Sequence, residues 1–84
     1  MSEASTENPL TIYSTPWCGY CTRLKTQLNG LGIDFVDIDI TTDEEAAKFV
    51  ETQNGGDQLV PTVKFPSGEV LSNPSLKQVQ EALS

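Results

Sequence analysis

The sequence contains no histidine and only two cysteines, and these shortages exclude several kinds of active site. Two cysteines cannot supply the three or four soft ligands of a typical zinc site, so a zinc module built by one such chain is excluded. The lack of histidine also removes Cys-His and Ser-His catalysis. Any nucleophile must therefore be activated by helix geometry and neighbouring cations.

Positive charge and long hydrophobic runs are also scarce. Lys and Arg number 5 against 12 Asp and Glu, and the resulting net charge of -7 would repel nucleic acid phosphates and anionic lipid. No apolar run approaches the roughly 20 residues needed to cross a bilayer. Residues 1–9 are polar and lack the basic start and apolar stretch of a secretory signal. We therefore expect no nucleic-acid or membrane partner and a cytoplasmic location, with residues 1–9 as a flexible tail and residues 10–84 as one domain.

The spacing of the apolar residues predicts an α/β domain with elements in the order βαβαββα. A helix between the first two strands makes a parallel unit, and Pro66-Ser67-Gly68 turns the last two strands into a hairpin. Asn73 is predicted to cap the final helix, with Pro74 at its first position. We expect a four-stranded mixed sheet with helices on both faces. The predicted strands are residues 10–14, 35–40, 62–65 and 69–71, and the predicted helices begin near residues 18, 42 and 73.

Cys18 and Cys21 follow a strand and open a helix, the context in which a C-x-x-C pair is redox-active rather than metal-binding. Residues three apart in a first helical turn bring their sulfurs close enough for a reversible disulfide. Cys18 meets unpaired N–H groups and the positive end of the helix dipole, so we expect its pKa to lie below the usual value of about 8.5. Cys21 lies one turn deeper, toward the core. We predict that Cys18 is the nucleophile and Cys21 the resolving thiol.

Four side chains near the cysteines have two interpretations each. Trp17 and Tyr20 either pack on the sheet or form an exposed docking surface. Arg23 and Lys25 either assist the thiolate electrostatically or are solvated surface cations.

These elements, the segment Trp17-Cys18-Gly19-Tyr20-Cys21 and the pair Val60-Pro61 together resemble the glutaredoxins of the thioredoxin fold, most closely the mycoredoxins. The resemblance covers about residues 10–83. It implies that Pro61 is cis and faces the cysteines. It also implies that the backbone of Val60 pairs like a strand with the cysteinyl part of a bound small thiol.

The sequence also departs from the common dithiol glutaredoxins at three places. Gly19 stands where they have proline, and Ser14 where they have a basic residue. Residues 72–75 replace a Gly-Gly pair and an acid. The resemblance implies that N–H groups at the start of the last helix hold a carboxylate of glutathione, and Pro74 has no N–H to offer. The predicted substrate-binding residues are Trp17, Gly19, Tyr20, Val60, Pro61, Ser72, Asn73 and Ser75.

The resemblance predicts a monomeric oxidoreductase that reduces thiolated or disulfide-bonded proteins without a bound cofactor or metal. Electrons would come from a small thiol, mycothiol rather than glutathione, and from its NADPH-dependent flavoprotein reductase. One alternative is a general thioredoxin or a redoxin for ribonucleotide reductase, recycled by a flavoprotein reductase. The other is an iron–sulfur cluster carrier, in which two chains share a cluster through Cys18 and two small thiols.

Overall fold

The computed structural model describes residues 10–83, in which four strands and three helices follow one another in the predicted order. The predicted tail, residues 1–9, lies outside the described residues, as does Ser84. None of the helices in this described part is long and apolar enough to span a membrane. The elements are β1 (Leu10–Ser14), α1 (Gly19–Gly30), β2 (Phe35–Asp39), α2 (Glu44–Gln53), β3 (Thr62–Lys64), β4 (Val70–Ser72) and α3 (Leu76–Leu83).

The four strands form a mixed sheet in the order β2-β1-β3-β4. Strand β1 pairs in parallel with β2, which requires the crossover that α1 supplies. On its other side β1 pairs antiparallel with β3, and β3 forms a hairpin with β4. The predicted fold class, a thioredoxin fold with a four-stranded mixed sheet, is confirmed.

Two hydrophobic clusters lie on opposite faces of the sheet. Helices α1 and α3 pack on one face and α2 on the other, because side chains alternate along β1. The first cluster contains Leu10, Ile12, Leu24, Leu28, Val63, Phe65 and Val79. The second contains Tyr13, Ile40, Ala46 and Val50. Helices on both faces were predicted and are present.

The orientation of α1 follows from its apolar spacing. Leu24 and Leu28 are fully buried against the sheet, and each buried leucine contributes about 1.5–3 kcal/mol relative to exposure. Cys21 precedes Leu24 by three residues and therefore lies on the same inward face. Cys18 is the N-cap residue, which precedes the first residue of the helix and is partly exposed. The packing of α1 thus assigns one cysteine to the core and the other to the surface.

The predicted start of the last helix is wrong. Helix α3 begins at Leu76, and Ser75 caps it instead of Asn73. Ser75 N–H donates to Gln78 Oε1 at 2.8 Å, and Gln78 N–H donates to Ser75 Oγ at 3.1 Å, which is a reciprocal capping box. Asn73 has φ of 50° and donates its N–H to the carbonyl of Pro61 at 2.7 Å. Residues 73 and 74 therefore belong to the loop before the helix.

Candidate active site

Three segments of the chain meet at one edge of the sheet. Thr62, the first residue of β3, lies opposite Tyr13 near the end of β1. It also lies opposite Ser72, the last residue of β4. The segment after β1, the loop before β3 and the loop after β4 therefore share this edge. These segments carry the eight predicted substrate-binding residues and the two cysteines.

Cys18 and Cys21 form a disulfide at the start of α1, with Cα atoms 5.2 Å apart. Cys18 is the N-cap residue, and its backbone is extended with φ of -84° and ψ of 102°. Its Sγ accepts the N–H of Cys21 at 3.1 Å, one of the helix-end donors that have no partner within the helix. Cys18 is partly exposed, whereas Cys21 is fully buried. An incoming thiol or disulfide can therefore reach only the Cys18 sulfur without a rearrangement.

Lys25 is held by the sheet. Its Nζ lies 2.8 Å from Asp37 Oδ2 and 3.4 Å from Ser14 Oγ. The Ser14 hydroxyl donates to Asp37 Oδ1 at 2.8 Å, so the buried serine also has its partners within this group. The Lys25 side chain is 21 % exposed and paired with Asp37, so it is not the solvated cation of one interpretation, and assistance to the thiolate by Lys25 stays a prediction. Arg23 is exposed on the same helix.

Trp17 and Tyr20 differ in how they meet solvent. Trp17 is 76 % exposed, which excludes packing on the sheet, and its contact with substrate stays a prediction. Tyr20 is 39 % exposed, and its hydroxyl donates to the carbonyl of Pro74 at 3.0 Å. Tyr20 therefore ties the start of α1 to the loop before α3. Gly19 is exposed between the cysteines, and nothing lies within 4 Å of the position that a Cβ would take.

The Val60-Pro61 peptide bond is cis, as the resemblance implied. Pro61 is buried, and its carbonyl accepts the N–H of Asn73 at 2.7 Å. Neither the N–H nor the carbonyl of Val60 has a hydrogen-bond partner within residues 10–83. The N–H and the carbonyl of Val60 are therefore available as donor and acceptor, as in a residue of an unpaired strand. Strand-like pairing of Val60 with a bound thiol stays a prediction that this geometry permits.

The loop after β4 holds the three polar residues predicted to contact a small thiol. The Ser72 hydroxyl donates to Asn54 Oδ1, so only its acceptor lone pairs remain for a ligand. Ser75 Oγ accepts the N–H of Gln78 and keeps its own proton for a further bond. Asn73 has an exposed side chain. The structure brings these residues to the same edge as Cys18, and their contacts with substrate stay a prediction.

The sequence analysis missed three residues of this site. Leu59 lies immediately before Val60 and is 43 % exposed. An apolar residue directly after the polar loop 54–58 was the sequence pattern that could have indicated it as a site residue. Thr62 was noted only as part of a strand, although its hydroxyl donates to the carbonyl of Leu59 at 2.7 Å. The sequence Asn54-Gly55-Gly56 indicates only the end of a helix at Asn54. Its contacts with β3 and β4 join residues distant in sequence, and no local pattern indicates them.

An accessible cysteine and a buried one at the start of a helix, on a mixed sheet of this topology, define a thiol–disulfide oxidoreductase of the thioredoxin fold. The family model described as Glutaredoxin matches residues 10–71, and the chain belongs to the glutaredoxin family.

Two curated relatives match most of the chain. The chain is 51% identical over 74 residues to a putative glutaredoxin from Mycobacterium tuberculosis, covering 88% of each. It is 41% identical over 70 residues to mycoredoxin 1 from Corynebacterium glutamicum, covering 83% of this chain and 86% of that one. The solved structure of the glutaredoxin from Methanosarcina mazei Go1 shares the fold with a TM-score of 0.74 and 22% identity, covering 90% of this chain and 78% of that one.

The helix-end environment of Cys18 leads to a prediction about pH. In a Cys21→Ser background with one thiol, alkylation of Cys18 should rise with pH to an inflection below about 8.5, the usual cysteine pKa. The variant Lys25→Met should leave the inflection unchanged, because Lys25 is paired with Asp37. Alkylation rates from pH 4 to 10 would measure both. An inflection at or above the usual value would refute stabilisation of the thiolate by the helix.

Proposed function

We propose that this protein reduces mixed disulfides between proteins and a low-molecular-weight thiol, and that this thiol is mycothiol. The observation that carries the proposal is the partly exposed Cys18, held at a helix N-terminus on the sheet edge that also carries the unpaired backbone of Val60. The identity to mycoredoxin 1 supports the choice of thiol. We also propose that the protein acts as a monomer in the cytoplasm.

The reaction begins when the Cys18 thiolate attacks the small-thiol sulfur of the mixed disulfide. A bond forms between Cys18 and that sulfur, and the protein substrate leaves as a thiolate that takes a proton from water. The N–H of Cys21, now 3.1 Å from Cys18 Sγ, stabilises the attacking anion before the bond forms. Val60 would align the cysteinyl backbone of the small thiol through its free N–H and carbonyl.

Two reactions release the small thiol from Cys18: the first restores the Cys18 thiol directly, and the second leaves a disulfide that two further small-thiol molecules must reduce. In the first, a second small-thiol molecule attacks the small-thiol sulfur on Cys18, which releases Cys18 and the oxidised dimer of the small thiol. The NADPH-dependent flavoprotein reductase of that thiol would then reduce the dimer. In the second, Cys21 attacks Cys18 Sγ and expels the small thiol, which gives the intramolecular disulfide that the structure contains.

Protein substrates would dock on the apolar surface beside the disulfide. Trp17 precedes Cys18 and is 76 % exposed, and Leu59 precedes Val60 and is 43 % exposed. Large exposed apolar side chains at a site are typical of interaction surfaces. The net charge of -7 favours thiolated proteins whose modified cysteine lies in a basic region.

The proposal is tested by turnover of a defined protein that carries a mycothiol adduct on a single cysteine. Catalytic amounts of the enzyme, with mycothiol, its reductase and NADPH, should release the protein thiol, and mass spectrometry should find the adduct on Cys18. Parallel reactions would replace mycothiol and its reductase by thioredoxin reductase. Turnover only with the latter would show a general thioredoxin instead.

A further inference from the structure

Asn54 uses its side-chain amide to join three parts of the fold. Its Nδ2 donates to the carbonyl of Val50 at 2.7 Å within α2, and lies 3.4 Å from Thr62 Oγ1 at the start of β3. Its Oδ1 accepts the hydroxyl of Ser72 at the end of β4. The amide is half-buried, and both its donor and its acceptor are engaged.

Thr62 carries this connection to the loop that contains Val60. Its side chain is fully buried, and its hydroxyl donates to the carbonyl of Leu59 at 2.7 Å. Because that proton is committed, Thr62 Oγ1 needs an outside donor, and Asn54 Nδ2 supplies it. The hydrogen bonds therefore run in one direction from Ser72 through Asn54 and Thr62 to Leu59, an arrangement in which each bond polarises the next.

The chain of bonds ends at the residue before Val60. On the other side of Val60, the carbonyl of Pro61 is held by the N–H of Asn73. Hydrogen bonds thus hold the backbone immediately before and after Val60. The N–H and the carbonyl of Val60 itself have no hydrogen-bond partner within residues 10–83. Loop residues 55–58 are exposed, and hydrogen bonds from Gly56 N–H and Gln58 Nε2 to Glu51 hold this part of the loop to α2, whereas the Leu59 carbonyl is held by Thr62.

We propose that Asn54 is a positioning residue that sets the Val60 backbone for the incoming small thiol, acting through Thr62 and Ser72. The proposal rests on the proposed function, in which Val60 pairs with the cysteinyl part of that thiol. Within residues 10–83 the side chain of Asn54 bonds to Val50, Thr62 and Ser72 and to neither sulfur. Its loss should therefore weaken binding of the thiol and leave the sulfur chemistry of Cys18 intact.

The test is steady-state kinetics of Asn54→Ala with the mycothiolated protein and with mycothiol. We expect KM for the small-thiol substrate to rise about five- to tenfold, the loss of one or two neutral hydrogen bonds, with kcat within about twofold of wild type. Asn54→Asp should resemble Asn54→Ala, because a carboxylate keeps the acceptor for Ser72 but has no donor for Thr62. Thr52→Ala is the matched control, since Thr52 donates only to Lys48 of its own helix, and should change neither constant.

A purely structural role of Asn54 predicts different results. A lowered unfolding midpoint with unchanged KM in Asn54→Ala would overturn the proposal, as would equal losses in kcat and in Cys18 alkylation. If Asn54→Ala does not fold, Thr62→Val, which is similar in size but lacks the hydroxyl, removes the bonds to Asn54 and Leu59, and a raised KM supports the proposal while an unchanged KM overturns it. Lack of small-thiol turnover by the wild type would overturn the proposed function together with this inference. Normal wild-type turnover with an unchanged KM in the variants would overturn this inference alone.

Discussion

The Cys18→Ser variant should lose all disulfide reduction, whereas Cys21→Ser should keep reduction of mixed disulfides and lose reduction of dithiol disulfides in proteins. Serine removes the thiolate that attacks, and the fully buried Cys21 cannot replace it without unfolding the first turn of α1. Cys21 is needed only where the Cys18 adduct must be resolved internally. Turnover of a mycothiolated protein and of insulin disulfides would measure the two activities.

The reduction rate of Cys18→Ser should fall to that of the uncatalysed reaction. The comparison with Cys21→Ser therefore tests whether one cysteine is enough to reduce a mixed disulfide. Thr26→Ser on the exposed side of α1 serves as a matched control and should behave as wild type. Mass spectrometry of Cys21→Ser after one turnover should show a stable small-thiol adduct on Cys18. Equal inactivity of both cysteine variants toward the mixed disulfide would contradict a reaction that needs one cysteine.

The fold and the cysteine pair could be predicted because both depend on local pattern. Leu24 and Leu28 recur at helical spacing after Cys21, which predicts an inward Cys21, and the end of the strand at Thr15-Pro16 places Cys18 at the start of the helix. Because a helix separates β1 from β2, the order of elements predicts that these two strands pair in parallel, as they do. The resemblance added the cis bond before Pro61, which base rates for X-Pro bonds would not indicate.

The start of α3 could not be predicted, because two local rules compete within a few residues. Asn73-Pro74 satisfies one helix-start pattern and Ser75 with Gln78 satisfies another. Long-range contacts select the second. The Tyr20 hydroxyl, 54 positions earlier, binds the carbonyl of Pro74. The N–H of Asn73 binds Pro61.

The same limit applies to the contacts of Asn54 and Lys25. Asn54 and Ser72 are 18 positions apart, and Lys25 and Asp37 are 12 positions apart. Each pair meets only after the sheet has formed. Sequence pattern identifies which residues carry sulfur chemistry, and tertiary structure determines which polar residues support them.

We expect the loop after β4 to favour mycothiol over glutathione, and the structure changes the reason for this expectation. The sequence predicts Pro74 at the first position of the helix, where its missing N–H would deny glutathione's carboxylate a donor. Pro74 instead precedes the helix, and the capping box takes the N–H groups of Ser75 and Gln78. The N–H of Asn73 is bound to Pro61. Three backbone donors of this segment are thus occupied and the proline has none, which leaves the N–H groups of Leu76 and Lys77, in the first turn of α3, as the donors without a partner within residues 10–83.

We therefore expect mycothiol to regenerate thiolated Cys18 at least about tenfold faster than glutathione, since losing one charge-assisted hydrogen bond costs roughly 1.5–3 kcal/mol and each 1.4 kcal/mol is about a factor of ten. Mycothiol presents sugar and inositol hydroxyls, which Ser72, Asn73 and Ser75 can meet with neutral hydrogen bonds. Glutathione also carries net negative charge toward a protein of net charge -7. Rates of regeneration with each thiol would measure the preference, and Gln78→Ala, which frees the N–H of Ser75, should raise the glutathione rate more than the mycothiol rate. Equal or faster regeneration by glutathione in the wild type would refute the assignment of mycothiol and leave the oxidoreductase activity in place.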